Sequence, residues 1–220
     1  EADFAEVREP LRADPRIWQN AFLSPGAGYG GSCFPKDVRA LDFLSAIATG
    51  HPLMMIQIAD RLNEYFKLAL VDRTVQKLSN YPKAAAPLEG KTVAIWGMAF
   101  KPDTDDVREA SSVRAVYELL KKGARQIRID DPIFRIPNAP AREEILARFT
   151  GELYKVFKRG HLFIGSPADF AKFFDEQYLQ TGRVVFVESP EQAVLADAAK
   201  GWDPSDAVLL VTEWKEYAGI

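Results

Sequence analysis

The chain has 220 residues, 47% of them hydrophobic and 27% charged, with a formal net charge of -3. That apolar content can build one large core or two modest ones, and the near-balanced charge leaves no basic footprint for nucleic acid and no acidic tail. The longest purely apolar runs, such as Ala207 to Val211, fall far short of the roughly 20 residues that span a bilayer. Glu1 to Pro10 is charged throughout and does not read as a signal peptide. One cysteine forms no internal disulfide, so the chain does not read as a secreted, stapled domain. The expectation is a cytoplasmic protein with neither nucleic acid nor membrane as partner. The charged start without Met fits a portion of a longer chain.

In chain order, Val38, Leu41, Leu44, Ile47 and Ala48 recur at helical spacing. They predict a helix that begins after Asp37 and is broken by Gly50, His51 and Pro52. A second helix follows over residues 53–78, with Met54, Met55, Ile58, Leu62, Tyr65, Phe66 and Ala69 on one stripe. At 1.5 Å per residue it would run roughly 39 Å. Leu53, Ile56, Leu70, Val71, Val75 and Leu78 widen its apolar surface, which must then be covered on several sides. The cover is either an intrachain helical core or a subunit interface. Two prolines and a small-residue run near 81–90 cannot continue a helix and predict a linker over 83–90.

Beyond the linker the period changes. Strands are predicted at 91–96, 126–130, 183–188 and 207–212. Helices are predicted at 112–122, stopped by Gly123, and at about 141–149, 167–179 and 190–199. Strands alternating with helices argue for an α/β fold with a doubly wound parallel sheet. The stretch from Pro132 to Gly182 is long for one crossover and should carry extra helices. The division expected is a helical domain at 1–82, the linker, and a Rossmann-like domain at 91–220.

The strongest chemical signal lies in residues 22–37. Four glycines (Gly26, Gly28, Gly30, Gly31) precede Cys33, and Lys36 and Asp37 follow it. Glycine lets backbone approach a ligand closely. The thiolate is the reactive form of cysteine, and a nearby cation or helix N-terminus lowers its pKa from about 8.5. Lys36 is a candidate cation, and Asp37 could hold a water or a lysine. The plainer readings stand beside these: a buried structural cysteine, and Asp37 as the N-cap of a helix starting at Val38.

A second signal spans Trp96 to Ser112. A buried strand runs into Gly97, and a helix starts some residues later, as in the first βα turn of a Rossmann-like unit. Gly97 stands outside any G-x-G-x-x-G series, so this turn is not the dinucleotide fingerprint. Lys101 and Arg108 could meet phosphates near the helix start. Alternatively, Arg108 pairs on the surface with Asp105, Asp106 or Glu109. His51 and His161 read as ordinary, the second beside a possible strand, and no metal site is expected.

Gly28-Tyr-Gly-Gly-Ser-Cys-Phe-Pro-Lys-Asp-Val-Arg-Ala-Leu41 resembles the catalytic-cysteine segment of the UDP-glucose 6-dehydrogenase family. Asp14-Pro-Arg-Ile17, the long helix and the Phe100 to Ser112 segment are similar to the same family, in its central and C-terminal regions. The resemblance implies oxidation of a sugar C6 alcohol to a carboxylate with two NAD. On that pattern Cys33 attacks the intermediate aldehyde, holds it as a thiohemiacetal and then as a thioester, and water releases the product. It implies catalytic roles for Cys33, Asp37 at the water and Lys36 beside Asp37 or the oxyanion. Substrate contacts would come from Arg16, Phe22, Gly28, Tyr29, Gly30, Phe100 and Lys101. NAD would lie at Cys33 and Arg108. A UDP-sugar substrate and a homodimer through the long helix are the expected partners.

Departures from the family pattern are also visible. Trp18 stands where a glycine is expected, and one extra residue separates Arg16 from Phe22. The chain has no N-terminal strand-helix unit carrying a G-x-G-x-x-G series, and it ends at Ile220, before a further strand and an Asp-Gly-Arg segment. The expectation is therefore a portion, inactive alone, of an NAD-dependent UDP-glucose dehydrogenase. GDP-mannose 6-dehydrogenase is the close alternative, against which Phe34 and the Gly-Tyr-Gly-Gly loop lean. A non-catalytic, dimerising sugar-nucleotide-binding module is the alternative of another class.

Overall fold

The computed structural model describes residues 3–18, 23, 26–135 and 140–218. Three helices come first: α1 (Phe4–Ala13), α2 (Phe34–Thr49) and α3 (Met54–Leu78). An alternating α/β unit follows: β1 (Thr92–Trp96), α4 (Ser111–Lys121), β2 (Gln126–Asp130), α5 (Arg142–Arg159), α6 (Pro167–Phe174), β3 (Val184–Phe186), α7 (Pro190–Val194) and β4 (Ala207–Leu210). Among the described residues no helix is long and apolar enough to cross a membrane.

The strands form one parallel sheet in the order β3-β2-β1-β4. Thr92 pairs with Gln126, Val93 with Ala207, and Ile127 with Val184. Val93, Ala94 and Ile95 are fully buried, as a strand covered on both faces requires. The chain leaves β1 towards β2 on one side and returns as β4 on the other. The crevice beyond the carboxyl ends of β1 and β4 is therefore the switch point at which open α/β sheets bind ligands.

Four devices shape the turn after β1. Gly97 donates to the Asp130 carbonyl at 2.9 Å. The Asp131 carboxylate accepts from the N–H groups of Met98, Ala99 and Ile133. Burial pushes that carboxyl up, against the pull of the three donors. Ser112 Oγ closes the far end on the Met98 carbonyl at 2.6 Å, and Thr212 Oγ1 bonds the Ala99 carbonyl at 2.5 Å.

The residues between β2 and β3 continue the core. Ile145, Phe149, Leu153 and Phe157 recur every four residues along α5 and are buried. Their stripe carries α5 on to Arg159, ten residues past the expected end at 149. Ser166 and Asp169 form a reciprocal capping box at the start of α6. Phe157, Phe170, Phe174 and Tyr178 then stack into an aromatic cluster.

Other boundaries differ from expectation. The 167–179 helix becomes a π-turn from Asp175 to Leu179, and the 190–199 helix stops at Val194. Asp197 then forms a β-bridge with Trp202. His161 lies in the turn after α5, with φ 56°, rather than beside a strand.

The second half of α3 joins the sheet's core through Val71 and Val75. Its first half leaves Met54, Met55, Ile58, Leu62, Tyr65 and Phe66 exposed. Beside it, α2 exposes Leu41, Phe43, Leu44 and Ile47.

Gly97 has φ 95°, and a Cβ there would lie 2.4 Å from Thr212 Cβ and 2.6 Å from its backbone nitrogen. Gly97→Ala should lower the unfolding free energy by about 3 kcal/mol, from left-handed strain plus overpacking. Urea unfolding checks this, and an unchanged midpoint would contradict it.

Candidate functional site

The cysteine lies where α2 and α3 meet the β1–α4 connection. α2 begins at Phe34, with Pro35 in its first turn, so Cys33 occupies the N-cap position. This corrects the expected start after Asp37. Asp37 lies inside the first turn, where its charge suits the helix dipole, and its N–H makes the helix bond to the Cys33 carbonyl at 2.8 Å. Proline fixes its own φ and needs no N–H at this position, so the Phe-Pro pair after Cys33 can start the helix four residues earlier.

Cys33 is free and exposed, 3.6 Å from Ser32 Oγ. First-turn N–H groups have no intrahelical acceptor, so α2 directs its positive end at the thiol. Lys36 pairs with Asp37 at 2.8 Å, and both are exposed. The bond to Asp37 holds the Lys36 ammonium above its usual range, with Cys33 a smaller contributor. Arg108 is likewise raised, first by its bond to Asp106 and further by Cys33 and Glu152. Two cations therefore sit within electrostatic reach of the sulfur.

The glycine loop is clamped from two sides. On α3, Asn63 Oδ1 accepts from Tyr29 N–H at 2.6 Å, and Asn63 Nδ2 donates to the Tyr29 carbonyl at 3.1 Å. On the β1–α4 connection, the Arg108 carbonyl accepts from Gly31 N–H at 2.8 Å. Ser111 Oγ donates to the Ala27 carbonyl at 2.7 Å. Gly30 meets this connection so closely that a Cβ would lie 2.5 Å from the Glu109 carbonyl oxygen. The Phe100 ring packs on Gly31, and Tyr29 meets Phe34 edge to face at 4.6 Å. The Tyr29 hydroxyl is buried with no hydrogen-bond partner among the described residues.

Glu109 is the electrostatic hinge of this arrangement. Its carboxylate lies 3.7 Å from the buried Lys67 of α3 and 3.4 Å from Arg39 of α2. Burial pushes the Glu109 carboxyl up, but Lys67 and Arg39 outweigh it and hold the group below its ordinary value. Glu109 also has φ 53°, a left-handed backbone that costs a non-glycine residue of order 1–3 kcal/mol.

The structure brings Cys33, Lys36, Asp37, Gly28, Tyr29, Gly30, Phe100 and Arg108 into one region. Arg108 makes the surface pair foreseen as an alternative, with Nε and Nη2 on the Asp106 carboxylate at 2.9 and 2.8 Å. Lys101 is exposed, its Nζ 5.5 Å from the Phe100 ring centre. Arg16 is bound to Asp14 in its own turn, with Nη2 to Oδ2 at 2.6 Å. Phe22 lies outside the described residues.

Sequence reading missed Asn63 and Lys67. Their spacing of four, which puts both on one face of α3, was the one local hint. It also missed Arg39 and the inward role of Glu109. A cleft of about 230 Å³ opens beside the loop, with Ser32, Lys36, Arg108, Glu152 and Lys155 among its lining. Arg108, Lys36 and Lys155 put three cations on this cleft, beside the carboxylates of Glu109 and Glu152, a donor set of the kind that a diphosphate accepts from. Among the described residues no three His, Cys, Asp or Glu converge on a metal position.

Residues 94–220 match the UDP binding domain of the UDP-glucose/GDP-mannose dehydrogenase family, and residues 1–65 match its central domain. The chain belongs to that family. A UDP-glucose 6-dehydrogenase of Pseudomonas aeruginosa is 33% identical over 98% of this chain, which covers 36% of that relative. One from Rickettsia bellii is 26% identical over the whole chain, which covers 38% of it. The chain thus spans little more than a third of the length of these curated relatives. The structure of a UDP-glucose dehydrogenase from Pyrobaculum islandicum superposes with a TM-score of 0.63 at 26% identity, over 98% of this chain and 37% of that one. A GDP-mannose dehydrogenase from Pseudomonas aeruginosa, at 21% identity and TM-score 0.54, shares the fold.

Because Glu109 is held below its unfolded value near 4.3, its ion pairs stabilise the fold fully above that pH. The contribution is lost as pH falls through the lower folded value. Glu109→Gln should therefore be less stable than the parent at pH 7, with a gap that closes on acidification below about pH 4. Urea unfolding at stepped pH measures it. A gap independent of pH would show that the carboxylate charge is not what holds the loop.

Proposed function

We propose that this chain is the thiol-bearing portion of an enzyme that oxidises the C6 alcohol of UDP-glucose to the carboxylate, giving UDP-glucuronate, with NAD. One observation carries the reading: Cys33 stands free at the start of α2, flanked by Lys36 and Arg108, on a loop docked at the sheet's switch point. The printed names of the relatives favour UDP-glucose over GDP-mannose. The dinucleotide, held in part by Arg108, would supply the hydride acceptor for both oxidations.

The chain's own residues do the rest. The Cys33 thiolate adds to the C6 carbonyl of the aldehyde, a C–S bond forms, and the carbonyl oxygen takes up a proton. The product is a thiohemiacetal that cannot diffuse away. It keeps a hydrogen on C6, so it can be oxidised again, to the thioester. Water then cleaves the C–S bond, leaving the carboxylate and returning the thiol. The Lys36–Asp37 pair stands four residues or fewer from Cys33 on the same helix turn. Asp37 orients that water, and Lys36 holds the Asp37 carboxylate in place through their ion pair at 2.8 Å. Phe100 and Lys101, beside the glycine loop, flank the nucleotide sugar. Arg16 contacts the substrate of the neighbouring subunit. The bulk of the dinucleotide contacts falls to the rest of the whole protein, because no strand–helix unit here carries the G-x-G-x-x-G series.

The exposed apolar side chains of α2 and α3 form one face, from Leu41 and Leu44 to Ile58, Leu62 and Phe66. A face this large on one side of a helix pair marks an interface. We assign it to a second copy of the same chain.

Cys33→Ser in the complete enzyme should lower uronate formation from UDP-glucose by roughly a thousandfold. Uronate made at the parent rate would refute the nucleophile, and oxidation of GDP-mannose in preference to UDP-glucose would change the substrate. Sugar-nucleotide binding without any oxidation by the parent would favour a non-catalytic binding module. Sedimentation of the complete enzyme should give a dimer or a higher even-numbered assembly, and Ile58→Glu with Leu62→Glu should break it. A monomeric parent would mean that the rest of the longer protein covers the face.

A further inference from the structure

The long segment between β2 and β3 brings one buried carboxylate to the cysteine loop. The apolar stripe of α5 fixes its rotation on the core, and this turns Glu152 inward, 8% exposed. A buried carboxylate is costly unless its oxygens find donors. Glu152 Oε1 accepts from Lys155 Nζ at 2.5 Å, and Glu152 Oε2 accepts from Glu109 N–H at 3.4 Å. The second bond matters more than its length suggests. The Glu109 N–H and the Arg108 C=O belong to one planar peptide group. The carbonyl of that group accepts from Gly31 N–H at 2.8 Å, two residues before Cys33. One rigid peptide is therefore held on one side by Glu152 and holds the glycine loop on the other. Its orientation depends on the left-handed backbone of Glu109, at φ 53°, which the chain would not keep unassisted. Arg148, one turn earlier on α5, reinforces the docking by binding Asp105 of the same connection at 2.9 Å.

We propose that Glu152 is a positioning residue for Cys33, acting through the Arg108–Glu109 peptide, and that the long α5 segment serves to deliver it. The inference rests on the reading of Cys33 as nucleophile. Glu152 touches neither the sulfur nor any reacting atom. It sets the angle at which the peptide carbonyl anchors Gly31, and so the place of the thiol relative to the start of α2 and to Arg108. A shift of the order of 1 Å in a reacting group can cost about a hundredfold in rate, so a slack anchor should appear in kcat.

The test uses two variants of the complete enzyme. Glu152→Met keeps the volume and removes the acceptor. Glu152→Gln keeps an acceptor oxygen for the Glu109 N–H and removes the charge. Two readouts are taken: steady-state oxidation of UDP-glucose, and the rate of Cys33 alkylation by iodoacetamide without substrate. Glu152→Met should lower kcat by about tenfold or more with KM within about threefold, and should change the alkylation rate by about threefold or more. Glu152→Gln should return both to within about twofold of the parent. Parent-like kcat and alkylation in Glu152→Met would overturn the proposal. So would a Glu152→Gln variant as impaired as Glu152→Met, which would assign the role to the charge pairing with Lys155. If Glu152→Met does not fold, Glu152→Gln decides alone, because parent-like rates are required of it. An enzyme that oxidises no sugar nucleotide would refute the proposed function, while the alkylation contrast would still decide whether Glu152 positions the thiol.

Discussion

The Gly31 N–H bonded to the Arg108 carbonyl at 2.8 Å ties the cysteine loop to the sheet. A thiol on a glycine-rich loop would otherwise sample many positions, since glycine gives up more conformational freedom on ordering than any other residue. That single bond would be weak protection. It is flanked by the two bonds between Asn63 and the Tyr29 backbone and by the Ser111 bond to the Ala27 carbonyl. The four bonds draw on both α3 and the β1–α4 connection, so the loop keeps its place only while these two elements keep theirs. Glu109 provides that condition, by joining Lys67 of α3 and Arg39 of α2 to the connection itself.

The electrostatic design divides by depth. Lys67 is 3% exposed, and its partners fix architecture. Lys36 and Arg108 are exposed, each held by a neighbouring aspartate, and they face the cleft beside Cys33. Screening by water weakens each exposed pair as a contribution to stability. The same exposure leaves the cations available to an anion, which a buried network would not. The thiol sits between these layers, with its loop anchored to the buried one and its sulfur beside the open one.

Much of this was legible in the sequence. The four strands read correctly; in β1, covered on both faces, burial imposes the continuous apolar run Thr92–Trp96, while β4 shows a similar run although Val208 and Leu210 are exposed at the sheet's edge. The cysteine loop stood out through its glycines and the Lys36–Asp37 pair. The start of α2 was misplaced because Asp37 suits an N-cap and Val38 opens an apolar periodicity, while Phe34 and Pro35 look like loop. α5 was cut short because Gly151 interrupts the pattern. In the structure nothing lies within 4 Å of where a Cβ at Gly151 would stand, and the stripe through Leu153 and Phe157 carries the helix on. Asn63, Lys67 and Glu152 went unread for another reason. The partners that tie them to the site lie 34, 42 and 43 residues away, so local spacing, including the Lys67–Glu64 and Lys155–Glu152 pairs, does not reveal what they hold.

The central claim is that Cys33 forms the covalent link to the sugar, and the link itself can be weighed. The complete enzyme is mixed with UDP-glucose and NAD, quenched in acid during turnover, digested, and the Cys33 peptide measured by mass spectrometry. The account predicts a thioester adduct on Cys33 with the mass of the uronyl nucleotide, lost on treatment with hydroxylamine. Uronate formation with Cys33 unmodified throughout, or an adduct on another residue, would contradict it.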